Sequence, residues 1–189
     1  MDKELFMRHL QAVLLLSLSL LSWADVSWAE LVSGPGAGTK LKSLKVFVAA
    51  GELAGKDVDF IADRKEKPTV YVFVPAERFS RPMARFLKTL DDKLKAERTD
   101  VDIIAVWLTD DVPKFKDHLP RVQESLKLNR TSWCVYPGEK TGPDEWGINP
   151  DADITVIIAD GPKVILSRGD RSINETEAPK VFAELPTKK

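Results

Sequence analysis

The segment from Thr69 to Leu90 constrains the fold of this chain more than any other. It opens with a run of β-branched and aromatic residues, Thr69–Val74, and after a short turn becomes an amphipathic pattern. Five apolar residues then recur at intervals of three and four: Met83, Phe86, Leu87, Leu90 and Leu94. This spacing places them on one face of a helix. Because Ser80 suits an N-cap and Pro82 a first turn, the segment predicts a buried strand and a helix that begins near Ser80.

A second strand and a second helix follow this pair. The nearly continuous apolar run from Val101 to Leu108 is typical of a parallel strand that is covered on both faces. Strand, helix and strand of these lengths predict a βαβ unit with a right-handed crossover. Pro113 suits the first turn of the next helix, whose apolar spacing continues to Leu126, and Pro120 is expected to break or kink it.

Turn residues and short apolar runs predict the remaining elements. These are a strand at Leu44–Val48, a strand at Ser132–Tyr136, a hairpin across Asp160-Gly161-Pro162, and a final helix from about Glu177, capped by Thr176. The Pro- and Gly-rich segment from Pro137 to Asp151 is expected to be a loop with a single helical turn. The pattern predicts an α/β fold: a three-layer α/β/α domain with a central mixed sheet over residues 44–186.

The first 29 residues have the pattern of a secretory signal peptide. Basic residues precede an apolar segment, Leu10 to Leu21, which is short for a membrane-spanning helix. Small residues then offer cleavage after Ala29 or, as the alternative, after Ala24. Segment 30–43 has the composition of a flexible leader. We therefore expect a periplasmic or secreted protein that has no membrane span after cleavage.

Charge and rare residue types limit the possible functions. Loss of residues 1–29 removes two of the 28 Lys and Arg and three of the 29 Asp and Glu, so the mature chain is formally neutral. A neutral chain gives no electrostatic reason to expect a nucleic acid as partner. Cys134 is the only cysteine and His118 the only mature histidine, so no His/Cys metal centre is expected. No cofactor is expected either, and an all-oxygen site around Asp151 and Asp153 is the remaining metal alternative.

The order of strand, turn, aromatic residue, X-X-Pro-X and amphipathic helix resembles that of thioredoxin-like proteins, whose motif is WCGPC. In this chain the motif positions hold Phe79-Ser80-Arg81-Pro82-Met83. The resemblance places Ser80 on the nucleophilic cysteine and Met83 on the resolving cysteine, so both thiols are replaced. The peroxiredoxin pattern fits less well, because it places Pro82 on the cysteine. Where the family has a cis-proline before the first hairpin strand, the resemblance places Ile154.

Three functions are compatible with these residues. The first is a non-catalytic binding or accessory module without thiol–disulfide chemistry. The second is a thiol-dependent oxidoreductase or peroxidase that uses Cys134, although the sequence places few cationic groups near it to stabilise a thiolate. The third is hydroxyl chemistry at Ser80, which has no general base nearby in the sequence. The loss of both motif cysteines favours the binding module.

The binding-module hypothesis places a ligand at the N-terminus of the helix that begins near Ser80. Unpaired N–H groups and neighbouring arginines make this end of the helix positive. The expected surface consists of seven residues: Arg78, Phe79, Ser80, Arg81, Pro82, Asp153 and Ile154. Its partner is expected to be an extracytoplasmic protein or a small anionic ligand. In the alternative interpretation, the arginines pair with Glu77, Asp151 or Asp153 and the surface binds nothing.

Overall fold

A computed structural model describes residues 31–188 of the chain. The predicted signal peptide and both of its cleavage sites lie outside the described residues. Seven strands form one mixed sheet: β1 Lys45–Ala50, β2 Asp57–Asp59, β3 Thr69–Pro75, β4 Asp102–Leu108, β5 Thr131–Val135, β6 Ile154–Asp160 and β7 Lys163–Asp170. Their order across the sheet is β2-β1-β5-β4-β3-β6-β7.

The predicted strand pairs are confirmed. β3 and β4 pair in parallel, from Thr69 opposite Asp102 to Pro75 opposite Leu108. β6 pairs antiparallel with the other edge of β3, and β6 and β7 form the predicted hairpin around Gly161. β3 therefore lies inside the sheet, which explains why its run of side chains is buried from Thr69 to Val74.

Four helices are present in the described part of the chain: α1 Phe60–Arg64, α2 Arg81–Glu97, α3 Val112–Leu126 and α4 Ala178–Ala183. Of the break or kink predicted at Pro120 in α3, the break is wrong, because the helix continues through this residue. Pro120 is exposed, and because proline has no N–H the helix lacks one backbone hydrogen bond at this residue. The predicted cap of the last helix is also wrong. The Oδ1 atom of Asn174 accepts the N–H of Thr176 at 2.9 Å and caps a short 3-10 turn before α4.

The side chains of the sheet alternate between two apolar faces. On β3, Val70, Val72 and Val74 pack against the face that α2 covers, whereas Tyr71 and Phe73 lie on the opposite face. α3 and α4 pack on the same face as α2. The apolar stripe predicted for α2 is buried against this first face, where Met83, Phe86, Leu87, Leu90 and Leu94 are at most 2% exposed.

The second face is covered by the short α1, the chain before β1 and the loop after β5. Within that loop, the predicted helical turn is the 3-10 turn Asp144–Trp146. The Trp146 ring lies 5.3 Å, centroid to centroid, from both Tyr71 and Phe73, and only 1% of Trp146 is exposed. The third layer of the domain is therefore built largely from loop side chains.

Segment 31–43, predicted to be a flexible leader, is instead docked on β7. Leu31 and Gly169 exchange two backbone hydrogen bonds of 3.1 and 2.8 Å. Gly34 has φ of +90°, and a Cβ atom added to it would lie 3.0 Å from the Cβ of Ser167. Glycine at this position permits a close approach to the sheet. A glycine-rich composition is also typical of flexible segments, and for that reason the composition suggested flexibility here. The ordered domain consequently includes residues 31–43, well before the predicted boundary at residue 44.

Candidate functional site

The predicted site lies in the segment that joins β3 to α2. This segment forms a 3-10 turn, Ala76–Arg78, followed by Phe79 and Ser80. It follows directly on β3, whose last residue Pro75 is paired with the last residue of β4. The Phe-Ser-Arg-Pro-Met sequence thus occupies the strand-to-helix position that the resemblance predicts.

Ser80 precedes α2, but its side chain does not cap the helix as predicted. No side-chain cap hydrogen bond is present, and Pro82 has no N–H to offer at the second helical position. Within residues 31–188, no hydrogen bond joins the Ser80 hydroxyl to a histidine or a carboxylate that could serve as its general base. Met83, at the second motif position, is 2% exposed and packs in the core.

Phe79 lies on a cluster of aromatic side chains that the sequence patterns did not bring together. Its ring centroid is 5.0 Å from that of Trp107 and 5.8 Å from that of Trp133. Phe115 of α3 lies 4.9 Å from Trp107. Neither indole Nε1 atom has a hydrogen-bond partner among the described residues. The alternation of side chains on β4 and β5 was the available signal, since it places both tryptophans on the face of α2.

Arg78 clamps the chain before β6 against the turn before α2. Its guanidinium donates to the carbonyl of Pro150 at 2.9 Å, to the carbonyl of Ala152 at 3.1 Å and to Oδ1 of Asp153 at 3.2 Å. The alternative interpretation, an internal pair between Arg78 and Asp153, is confirmed for these two residues. Ile154 is fully buried, so its side chain belongs to the core and not to an exposed binding surface.

Arg81 differs from the arginines on either side. The Nε atom of Arg85 donates to Oε2 of Glu175 at 2.9 Å, and Arg78 is engaged by the clamp. Arg81 is exposed and forms no ion pair with another residue of the described range. Pro82, beside it, is half-buried. Of the predicted surface, Phe79, Ser80 and Arg81 therefore retain groups that are available to a partner.

Cys134 lies on the far side of the sheet from Phe79. It is fully buried in β5, among the side chains of the second face, and its thiol makes only a 3.8 Å contact with the carbonyl of Ser132. Burial raises the pKa of the thiol well above its usual range, because a thiolate would be desolvated there. His118 is exposed on α3, with its ring 6.1 Å from that of Trp107. The only cysteine and the motif position are thus on opposite faces.

Residues 31–188 offer neither clustered metal ligands nor a membrane-spanning helix. These residues contain no group of three or more His, Cys, Asp or Glu side chains that could hold a metal ion. The two carboxylates of the all-oxygen alternative differ in environment, since Asp151 is exposed whereas Asp153 pairs with Arg78. No helix in this range is long and apolar enough to cross a membrane.

Comparison with known proteins identifies the fold. No family model matches the chain, and no curated protein does. Among solved structures, BsSco, a member of the Sco family of cytochrome c oxidase assembly proteins, matches with a TM-score of 0.57 and 16% identity over 84% of this chain and 100% of that chain. Thiol peroxidase from Chromobacterium violaceum matches with a TM-score of 0.57 and 12% identity, covering 85% of this chain and 93% of its own. Peroxidoxin BcpB from Mycobacterium tuberculosis matches with a TM-score of 0.58 and 12% identity, covering 78% of this chain and 94% of its own. The predicted thioredoxin-like fold is confirmed.

Proposed function

We propose that this thioredoxin-like domain is an exported, non-catalytic binding module whose partner docks at the start of α2. The observation that carries the proposal is the pair of side chains at the motif positions. The two places that the family gives to cysteines hold Ser80 and Met83, in a domain that otherwise has the family's fold. Thiol–disulfide exchange needs a thiolate attacker and, in this family, a second cysteine to release the mixed disulfide. A fold does not by itself imply a function, so the side chains at the site decide.

The environment of Cys134 supports the same proposal. A nucleophilic cysteine needs access to its substrate and a stabilised thiolate. Cys134 is fully buried, and burial raises the pKa of its thiol. No observation in the described structure favours a thiol enzyme that uses this residue.

The side chains around the start of α2 define the proposed docking surface. Phe79 presents a half-buried ring that is held by Trp107 and Trp133. Ser80 contributes a hydroxyl, and Arg81 an exposed guanidinium without an internal partner in the described range. An aromatic ring beside an unpaired arginine matches the residue types that dominate binding energy at protein interfaces.

Export is the second part of the proposal and rests on the signal-peptide pattern of residues 1–29. Leu31 exchanges backbone hydrogen bonds with Gly169. Cleavage after Ala29 and cleavage after Ala24 both preserve this contact. N-terminal sequencing of the protein recovered from an extracytoplasmic fraction tests this part, and an uncleaved chain in the cytoplasm contradicts it.

Activity assays test the absence of catalysis. The mature protein and its Cys134→Ala variant are compared in insulin reduction with dithiothreitol and in hydrogen peroxide consumption. We expect neither protein to exceed the buffer rate. Turnover by the unaltered protein that disappears in Cys134→Ala overturns the proposal. The Ser80→Cys and Met83→Cys double variant should gain weak activity at most, since Ile154 occupies the cis-proline position of the resemblance.

Affinity capture tests the docking surface directly. Extracytoplasmic proteins are passed over the immobilised mature protein, its Arg81→Glu variant and a Lys56→Glu control, in which an exposed lysine of the β1–β2 turn is reversed. We expect one partner to be retained by the unaltered protein and the control, and lost from Arg81→Glu. If Arg81→Glu retains the partner as well as the unaltered protein does, the partner does not dock at this surface.

A further inference from the structure

A groove runs along the exposed side of α2, beyond the motif segment. Its volume is about 400 Å³, and it is lined by Arg81, Ala84, Arg85, Lys88, Thr89, Leu126 and Glu175. Five of these residues belong to α2, whereas Leu126 ends α3 and Glu175 lies in the 3-10 turn before α4. The groove exists because three separate parts of the chain meet there.

The charges that line the groove are predominantly positive. Three lining side chains are cationic and only Glu175 is anionic. Arg85 pairs with Glu175 at 2.9 Å, and Lys88 pairs with Asp92, which is not a lining residue. Arg81 has no ion-pair partner within residues 31–188, and a guanidinium donates well to a carboxylate through two parallel N–H groups. Within residues 31–188, Arg81 is therefore the unpaired lining cation that an anionic occupant would meet.

The lining residues extend along α2 from Arg81 to Thr89, a length that fits an extended occupant. Ala84 and Leu126 give the groove an apolar part between its charged side chains. From Arg81 to Thr89 the helix rises about 12 Å at 1.5 Å per residue. An extended peptide rises roughly 3.3 Å per residue, so about four residues span this length. A single small anion covers only one end of the groove.

We propose that this groove binds a short acidic segment of a partner protein. One carboxylate of the segment pairs with Arg81, a second competes with Asp92 for Lys88, and an apolar side chain packs on Ala84 and Leu126. The inference rests on the proposed binding role, but it assigns the chemistry of the partner and extends the contact along α2. Variants of Lys88 distinguish the groove from the docking surface formed by Phe79, Ser80 and Arg81. Lys88 lines the groove but lies two helical turns beyond Arg81.

Fluorescence anisotropy with defined peptides tests the proposal. The probe is a fluorescein-labelled Glu-Asp-Leu-Phe-Asp-Glu peptide, compared with Lys-Lys-Leu-Phe-Lys-Lys and with unlabelled hexanoate as competitor. We expect the acidic peptide alone to bind, and its affinity to fall as NaCl rises from about 0.05 M to about 0.5 M, since exposed charges are screened. Hexanoate should compete poorly, because it fills only part of the groove.

Matched variants locate the peptide. Arg81→Gln and Lys88→Gln should each weaken binding about threefold, as expected for exposed charge pairs, and the double variant about tenfold. Ala84→Leu fills the apolar part without changing charge and should also weaken binding. Lys56→Gln, remote from the groove, is the control. Unchanged affinity in Lys88→Gln and Ala84→Leu, equal binding of the basic peptide, or no binding of the acidic peptide at millimolar protein overturns the inference.

These outcomes are separable from failure of the proposed function. If the acidic peptide does not bind and no thiol turnover is measured, the groove is not a peptide site, and the proposal of a non-catalytic module stands. Thiol turnover that depends on Cys134 contradicts the proposed function itself, whether or not the acidic peptide binds. If hexanoate competes tightly, the occupant of the groove is a small organic anion, and the proposal of a peptide segment is overturned.

Discussion

Asp91 on α2 accepts a 2.8 Å hydrogen bond from the hydroxyl of Thr131, the first residue of β5. The carboxylate is fully buried and also accepts the backbone N–H groups of Asn129 at 2.9 Å and Arg130 at 2.8 Å. One side chain therefore satisfies three donors of the chain that enters β5. This arrangement fixes the start of β5 against the middle of α2.

Replacement of Asp91 by alanine should destabilise the fold by about 2 to 4 kcal/mol, because it leaves buried donors without an acceptor. Urea unfolding followed by circular dichroism measures the change. Asp92→Ala is the matched control, since the carboxylate of Asp92 is exposed and, among the described residues, pairs with Lys88 alone. We expect Asp92→Ala to change stability by less than about 0.5 kcal/mol. Equal effects of the two variants contradict a structural role for the Asp91 carboxylate.

Leu87→Ala should cost about 2 to 5 kcal/mol of unfolding free energy, because the leucine is fully buried and its loss leaves a cavity under α2. Thermal and urea melts provide the measurement. Lys95→Ala, at an exposed position of the same helix, should have little effect. A melt unchanged by Leu87→Ala shows that another face of α2 is buried.

Asp59 should stabilise the domain in a pH-dependent way. Burial opposes its charged form, but hydrogen bonds from Ser43 at 2.7 Å, from the Leu44 N–H at 3.0 Å and from the Ile61 N–H at 3.1 Å prevail and lower its pKa. A lowered folded-state pKa contributes stability that is present above the unfolded value of 3.8 and is lost as pH falls through the folded value.

The Asp59→Ala variant tests this dependence. It should cost about 0.5 to 2 kcal/mol at pH 7, since Asp59 also caps α1. The difference from the unaltered protein should shrink as the pH falls below the unfolded value of 3.8. The exposed Asp57 of the same strand gives the control, Asp57→Ala. A penalty for Asp59→Ala that stays constant from pH 7 to pH 2 contradicts the pKa assignment.

Cys134 should react with Ellman's reagent only after unfolding. The thiol is fully buried and its pKa is raised by burial, so the native protein offers neither access nor thiolate. Absorbance at pH 8 with and without guanidinium chloride measures the reaction. An Ala96→Cys, Cys134→Ser double variant, with its thiol at an exposed position of α2, should react at once in the native state. Rapid reaction of native Cys134 would show that β5 opens readily.

Two glycines of the docked segment 31–43 should respond differently to alanine. Gly34→Ala should cost about 1 to 3 kcal/mol, because its φ of +90° is strained for alanine and the new Cβ meets Ser167 at 3.0 Å. Gly36 has only the Thr39 hydroxyl oxygen at 4.0 Å, so Gly36→Ala should be neutral or slightly stabilising. Urea unfolding and limited proteolysis of the segment measure both. Equal behaviour of the two variants means that the segment is not held as described.

Local patterns were sufficient to predict the central elements. The run from Thr69 to Val74 and the spacing of apolar residues through Leu94 predicted β3 and α2, and the run to Leu108 predicted the parallel neighbour β4. The turn residues around Gly161 predicted the hairpin. These features succeed because the period of a helix or strand and the chemistry of a turn are properties of adjacent residues.

Tertiary packing decided the rest. The docking of Leu31 on Gly169, the aromatic cluster around Trp107 and the contact of Asp91 with Thr131 join residues that are far apart in the chain. The composition of segment 31–43 indicated flexibility, because glycines that permit close approach cannot be told from glycines that permit motion until a neighbouring strand is present. The groove likewise needs α2, the end of α3 and Glu175 together. Local sequence determined β3, α2, β4 and the β6–β7 hairpin, whereas the packing of distant elements determined which side chains meet, because such contacts depend on the fold as a whole and not on local spacing.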